Sequence, residues 1–379
     1  MSSKTSAIKV EKAARLMNAF SERTGINGKN DPSRRYLWTD AFAVQNFLAL
    51  FHFTEEGIYR DRAFKLIHLV HQYLGKYHPQ DERNGWISEF EEEKAKYHPT
   101  AGGLRIGKKL PERKENEDFD ERLEWERDGQ YFHYLTRWLN ALLQAGNEEP
   151  HKDFSRWALE LLEASSKFIT PKGSGMYWKM STDLSRPLVK SMGAHDPLEG
   201  LVCTLAILER FPDHLPEFDY MLTEFEKMCE GQNWKTYDSL GIGGLLLNAL
   251  RLKFFKEHLP VNISAEKLMQ ESLESLNYYQ RKSVDTKAHQ RLAFRECGMS
   301  LGIQVMKGIY EKYNFPDISH AQMKNYTMLA EEIEDFWLDP KNHESFTWKD
   351  HLDINQVSHA ASLLGNLEPE VFLALPKKA

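Results

Sequence analysis

Leu123 to Ala145 reads LEWERDGQYFHYLTRWLNALLQA, a polar, acidic and aromatic run that turns directly into an amphipathic helix. Tyr131, Tyr134, Leu135, Trp138, Leu139 and Leu142 recur at steps of three and four, the period of a helix with one buried face. Glu124, Glu126, Arg127 and Asp128 stand at its entrance. The same grammar returns in WTDAFAVQNFLALF from Trp38, AHDPLEGLVCTLAIL from Ala194, YDSLGIGGLLLNAL from Tyr237, LAFRECGMSLGIQVM from Leu292 and LDINQVSHAASLL from Leu352. Six such helices predict a closed ring.

The rest of the chain fits that plan. Residues 7 to 23 read as a first amphipathic helix, ended by Gly25, Gly28 and Pro32. The helix from Trp38 is expected to stop before Thr54, which reads as the N-cap of the next one. Further outer helices, richer in charge, are predicted near 151–168, 215–229, 264–280 and 320–336. The inner helices carry small residues, among them Gly241, Gly243, Gly244, Ala249, Gly298, Gly302, Ala360, Ala361 and Gly365. Glycine inside a helix costs about 1 kcal/mol relative to alanine, so this density implies close helix packing that repays it.

Connections leaving the inner helices are short, near 147, 211 and 314. Those entering them are long: 78–127, 169–193, 281–290 and 337–351. In a ring of hairpins the long connections gather over one mouth, where functional residues concentrate on a rigid scaffold. The expectation is therefore one all-α domain over residues 1–379, an (α/α)6 toroid with a lid-like insertion at 78–127. A superhelical solenoid of helix pairs is the competing architecture.

At 379 residues, 41% hydrophobic and 28% charged, the chain has the composition of an ordinary globular protein. A net charge of −7 supplies no basic field for a phosphate backbone, so no nucleic-acid partner is expected. The N-terminus lacks a signal-peptide pattern and no apolar run is long enough to span a membrane, which points to a cytoplasmic protein with no membrane partner. Cys203, Cys229 and Cys297 are odd in number and widely spaced, the pattern of buried reduced thiols. No metal-ligand spacing is present, and no metal or cofactor is expected.

Twelve helices in six hairpins, with the long connections at one end, resemble the (α/α)6 toroid of the six-hairpin glycosidases and the N-acylglucosamine 2-epimerase group. Arg35-Tyr36-Leu37-Trp38 is similar to the Arg/Trp entry of the epimerases' first inner helix. His195-Asp196-Pro197-Leu198-Glu199 is similar to their His-to-Leu-Glu helix start. Where they carry paired tryptophans before the fifth inner helix, this sequence has His289-Gln290-Arg291-Leu292, a departure that turns the reading toward the glycosidase branch.

Projected onto such a ring, the helix starts bring Trp38, Asp40, Asp128, His195, Asp196, Glu199, Tyr237, Asp238, Arg295, Glu296, His351 and Asp353 to one opening, beside Glu126, Arg127 and Tyr131. Aspartates at helix starts also cap amides without chemical duty, which fits Asp40, Asp196 and Asp238 as well. Glycoside hydrolysis needs a protonated carboxylic acid and a second carboxylate. The ring sets Asp128 opposite Glu296 and Asp196 opposite Asp353. The leading expectation is a glycoside hydrolase acting on a short saccharide, with Asp128, Glu296 and His195 as catalytic candidates and Trp38, Asp40, Glu126, Arg127, Tyr131, Asp196, Glu199, Tyr237, Asp238, Arg295, His351 and Asp353 lining the substrate site. Arg295 either clamps a carboxylate or neutralises Glu296. One alternative is a sugar epimerase or isomerase using His195 and His351 as acid and base. Another is a saccharide-binding or scaffold protein without turnover.

Overall fold

The computed structural model describes residues 3–149, 153–255, 263–279 and 286–376. Its helices are α1 (Ser3–Arg23), α2 (Leu37–Thr54), α3 (Gly57–Leu74), α4 (Glu92–Tyr97), α5 (Glu121–Glu126), α6 (Phe132–Glu148), α7 (Phe154–Ser165), α8 (Asp196–Arg210), α9 (Leu215–Cys229), α10 (Ser239–Phe255), α11 (Ala265–Tyr278), α12 (Ala293–Tyr313), α13 (His320–Leu338), α14 (Phe346–Lys349), α15 (Leu352–Leu364) and α16 (Pro369–Leu373). Among the described residues none is long and apolar enough to cross a membrane. The chain forms two compact units, one within Met1–Arg23, Gln45–Asp61 and Gly231–Leu375, the other within Thr24–Val44, Arg62–Glu230 and Pro376–Ala379.

In the first unit α10 and α11 form one hairpin and α12 and α13 another, while α12 packs on α10 and α15, and α15 on α1. Small residues decide the crossing of α10 and α12. A Cβ added at Gly243 would lie 2.1 Å from the Gly298 carbonyl oxygen, and one at Gly302 would lie 2.8 Å from the Gly243 oxygen. Backbone meets backbone there, the packing demand that offsets the glycines' helix cost. Glu334 of α13 is buried and fully engaged, accepting from Lys9 at 2.8 Å, Gln304 at 2.9 Å and Ser362 at 2.7 Å. A buried carboxylate is tolerated when paired and hydrogen-bonded in this way.

In the second unit α6 pairs with α7 and α8 with α9, and α6 lies against α8. α6 buries Leu135, Trp138, Leu139 and Leu142, the residues of its three- and four-step stripe. The 169–193 connection meets the entrance of α6 through a small antiparallel sheet that helical periodicity does not predict: β1 (Gln130–Tyr131), β2 (Lys179–Met180) and β3 (Pro187–Val189), in the order β1-β2-β3. Tyr131 pairs with Lys179 and Gln130 with Met180. The 78–127 segment is tied down by Arg83, which bonds Asp81, Glu112 at 2.9 Å and Asp183 at 2.8 Å.

Three expectations are adjusted. α1 starts at Ser3 rather than near 7. Thr54 closes α2 instead of capping α3, its hydroxyl donating to the Leu50 carbonyl at 2.7 Å. The 78–127 and 337–351 segments hold the short helices α4, α5 and α14. Residues 151–152 at the start of the outer helix expected over 151–168, residue 280 at the end of the one expected over 264–280, and residues 281–285 within an expected long connection lie outside the described residues. Cys203, Cys229 and Cys297 are buried thiols outside any disulfide.

Candidate active site

The first turn of α6 follows β1 without a linker, so the chain changes from a strand's alternation to a helix's rotation at Tyr131–Phe132. That change gathers aromatic rings around His133. Its imidazole stacks on Tyr131 at 5.4 Å and on Trp178 at 6.1 Å, and meets the edges of Tyr134 at 4.9 Å and Trp38 at 5.8 Å. Trp38 comes from the first turn of α2 and Trp178 from the residue before β2. The His133 side chain is 22% exposed, and its Nδ1 has no hydrogen-bond partner. Burial, reinforced by the positive charge of Arg137 one turn further along α6, lowers its pKa to about 3. His133 is therefore neutral at physiological pH.

Asp196, the first residue of α8, places Oδ1 3.9 Å from His133 Nδ1. It accepts a bond from the Gly193 amide at 3.2 Å, which stabilises its charged form. Desolvation is stronger, and with the nearby charge of Glu199 it raises the Asp196 pKa to about 7. Glu199, one turn on, accepts from the Thr136 hydroxyl at 2.9 Å. A second polar pair borders the rings: Tyr36 and Tyr134 share a hydrogen bond between their phenol oxygens of 2.6 Å. Tyr134 packs on Trp38 at 5.3 Å and on Tyr131 at 5.2 Å. The guanidinium of Arg137 lies 5.1 Å from the Trp38 ring.

Trp38, Tyr131, Asp196 and Glu199 of the expected residues thus meet in one unit. His133, Tyr134 and Tyr36 join them and were not singled out as site residues, although His133 and Tyr134 lie inside the stretch that reveals the fold. An imidazole in a run of aromatic residues at a helix start, after a long connection, is the signal that marks His133. Its flanking residues drew the reading because they carry the periodicity.

The residue that leads the sequence-based list behaves differently. Asp128 is wholly buried. One carboxylate oxygen binds the Arg105 guanidinium and the other accepts from the Gly107 amide at 3.0 Å and the Gly129 amide at 3.1 Å. Arg105 in turn bonds the carbonyls of Tyr73 at 2.8 Å and Lys76 at 2.5 Å, so Asp128 pins the 78–127 segment to the end of α3. Both oxygens of this carboxylate are thus engaged, by a guanidinium and by two backbone amides, and the side chain is sealed from solvent. Lys179 is also buried, and it donates at 2.8 Å to both the carboxylate and the carbonyl of Glu124 and at 2.9 Å to the Arg127 carbonyl. Desolvation lowers its pKa against the pull of Glu124. Glu126 is exposed, Arg127 pairs with Glu117 at 2.6 Å, and His195 occupies the N-cap position of α8 without a side-chain capping bond. Asp40 is buried, lies 3.7 Å from Arg35 and, from within the first turn of α2, reaches back to accept from the Tyr36 amide at 3.3 Å, rather than standing at the N-cap itself.

In the other unit Glu296 is buried, held by Arg291 at 2.7 Å and by the Trp337 indole at 2.8 Å. Its positive partner is Arg291 rather than Arg295, which instead pairs with Asp238 at 2.6 Å. Asp353 accepts from Arg23 at 2.7 Å. His351 meets the edge of Phe294 at 5.8 Å, and Tyr237 is 80% exposed.

No protein-family model matches the sequence, and no curated protein matches it. Among solved structures the chain is similar to one described as the crystal structure of D-mannose isomerase, with a TM-score of 0.51 and 14% identity over 87% of this chain and 85% of that one. The likeness establishes a shared fold. The all-α six-hairpin toroid class expected from the periodicity is the fold of that neighbour.

Proposed function

We propose that the protein is a sugar isomerase or epimerase acting on a small reducing sugar, with Asp196 as the proton-transferring base and His133 as a neutral hydrogen-bonding partner of the reacting oxygens. The observation that carries this reading is the 3.9 Å approach of His133 Nδ1 to Asp196 Oδ1 within an aromatic wall. Interconversion of sugars at C1 and C2 starts with loss of a proton beside the carbonyl. The ideal base has a pKa near working pH, and Asp196, at about 7, meets that condition. A neutral imidazole polarises a carbonyl without competing for the proton, and the low pKa of His133 keeps it neutral. Trp38, Tyr131 and Trp178 make the aromatic wall around His133 against which a sugar ring would pack in this reading. The fold shared with a D-mannose isomerase agrees with this chemistry.

Of the sequence-based candidates, Glu199 and His195 flank Asp196 along the chain and keep a substrate-binding role in this reading. Trp125 of α5 meets the edge of Trp178 at 5.3 Å, which supports reading the 78–127 segment as a wall of the site. A cytoplasmic setting and a short saccharide substrate remain part of the proposal.

A second reading, glycoside hydrolysis, draws on Asp196 and Glu199, two carboxyl groups one helical turn apart of which the first has a raised pKa. Incubation with a panel of aldoses and disaccharides followed by product analysis separates the two. An epimer or ketose with all glycosidic bonds intact supports the isomerase. Released monosaccharide without either product supports the hydrolase, and no conversion of any sugar defeats both.

A further inference from the structure

We propose that Tyr36 and Tyr134 form a proton relay for the sugar oxygens, a pair of catalytic phenols beside the carbon-directed base Asp196; this deepens the isomerase reading and rests on it. The phenol oxygens are 2.6 Å apart, and among the described residues neither makes a second hydrogen bond. Two phenols carry two O–H protons. Only one is used in the bond between them, so the pair has a donor to spare and an acceptor lone pair beside it.

The location suits the role. The Tyr134 ring lies 4.9 Å from that of His133 and 5.2 Å from that of Tyr131, so the pair borders the same aromatic enclosure as the His133–Asp196 approach. Both rings are half-buried rather than sealed. Burial and the neighbouring Tyr36 push the Tyr134 phenol well above its ordinary pKa, which keeps it protonated.

The reaction balances as follows. The Asp196 carboxylate takes the proton from C2, the C–H electron pair becomes the C1–C2 double bond, and the carbonyl pair moves onto O1. The phenol pair gives its spare proton to O1. It recovers a proton from the C2 hydroxyl as the C2 carbonyl forms, while the C1–C2 pair takes back the proton held by Asp196 at C1. One proton has moved from C2 to C1 and one from O2 to O1, and all protein groups end as they began.

Tyr36→Phe and Tyr134→Phe test the relay, each removing one oxygen and leaving the ring. The assay follows conversion of D-aldohexoses, D-mannose among them, in deuterated water, with melting temperature recorded beside it. Both variants are expected to lose about 10² in kcat, the scale of one donor to a developing oxyanion. KM should stay within about threefold and incorporation of deuterium at carbon should fall in step with kcat, a pattern that a packing role would not give. Either variant retaining kcat within about threefold of a converting wild type overturns the relay and leaves the isomerase reading standing. A wild type that converts none of these sugars overturns both.

Discussion

His133 Nδ1 faces Asp196 Oδ1 across 3.9 Å, yet between pH 3 and 7 the two do not form an ion pair. Burial moves their proton affinities in opposite senses, the imidazole down to about 3 and the carboxyl up to about 7, so over that range both are neutral. Two titratable groups pushed to different values by one environment are how enzymes assign separate roles to neighbouring side chains.

The rate should follow Asp196. If its carboxylate is the base, kcat/KM rises with pH through about 7 and then levels. Initial rates at fixed ionic strength from pH 5 to 9 check this. A profile flat across pH 7, or one falling there, is inconsistent with a carboxylate base.

Stability should follow it with the opposite sign. The folded-state pKa of about 7 lies above the ordinary aspartate value of 3.8, so the favourable contribution is complete below 3.8 and lost as pH rises through 7. The roughly 3-unit gap corresponds to about 4 kcal/mol as an order of magnitude. Asp196→Asn should therefore gain melting temperature relative to wild type at pH 8 and gain much less at pH 4.5. Equal offsets at both pH values would show that burial does not raise this carboxyl.

Asp128→Asn should damage the fold rather than the chemistry. It leaves the buried Arg105 without its carboxylate, and breaking one partner of a buried pair costs about 3–5 kcal/mol. Denaturant unfolding and turnover per folded molecule are the measurements. An unchanged midpoint with turnover reduced about 10² would return Asp128 to the catalytic list.

Lys179→Met should lower stability and weaken substrate binding together, because Lys179 anchors β2 next to Trp178. Its loss strands the carbonyls of Glu124 and Arg127, at about 1–3 kcal/mol each. Glu124 keeps Arg113 at 3.0 Å, so Lys179→Met/Glu124→Leu should be non-additive. Full additivity in a double-mutant cycle would mean the two side chains are not coupled.

The helices were legible because burial writes a period into sequence. α6, α8 and α9 lie close to where apolar residues at three- and four-step spacing place them. The glycines at 243, 298 and 302 mark in the sequence the close crossing that the backbones of α10 and α12 make. Strands of two or three residues carry no period, so the sheet joining Tyr131 to Lys179 had no signal. Asp128 and Asp196 look alike in sequence, each an acid at a helix entrance. What separates them is a partner elsewhere in the chain: Arg105, 23 residues earlier, binds the Asp128 carboxylate, whereas Asp196 meets the Gly193 amide, the His133 imidazole and the nearby acid Glu199. Electrostatic environment is set by tertiary contacts, and that is the part of the site that periodicity does not encode.

In the proposed reaction Asp196 moves a proton at a sugar carbon. Proton NMR of aldohexoses incubated in deuterated water with wild type and Asp196→Asn tests it most directly. Wild type is expected to form an epimer or ketose with deuterium entering at C1 or C2, and Asp196→Asn to lose about 10² or more of that exchange at unimpaired folding. Exchange persisting within a few-fold in Asp196→Asn, or glycoside cleavage with no exchange at carbon, would contradict it.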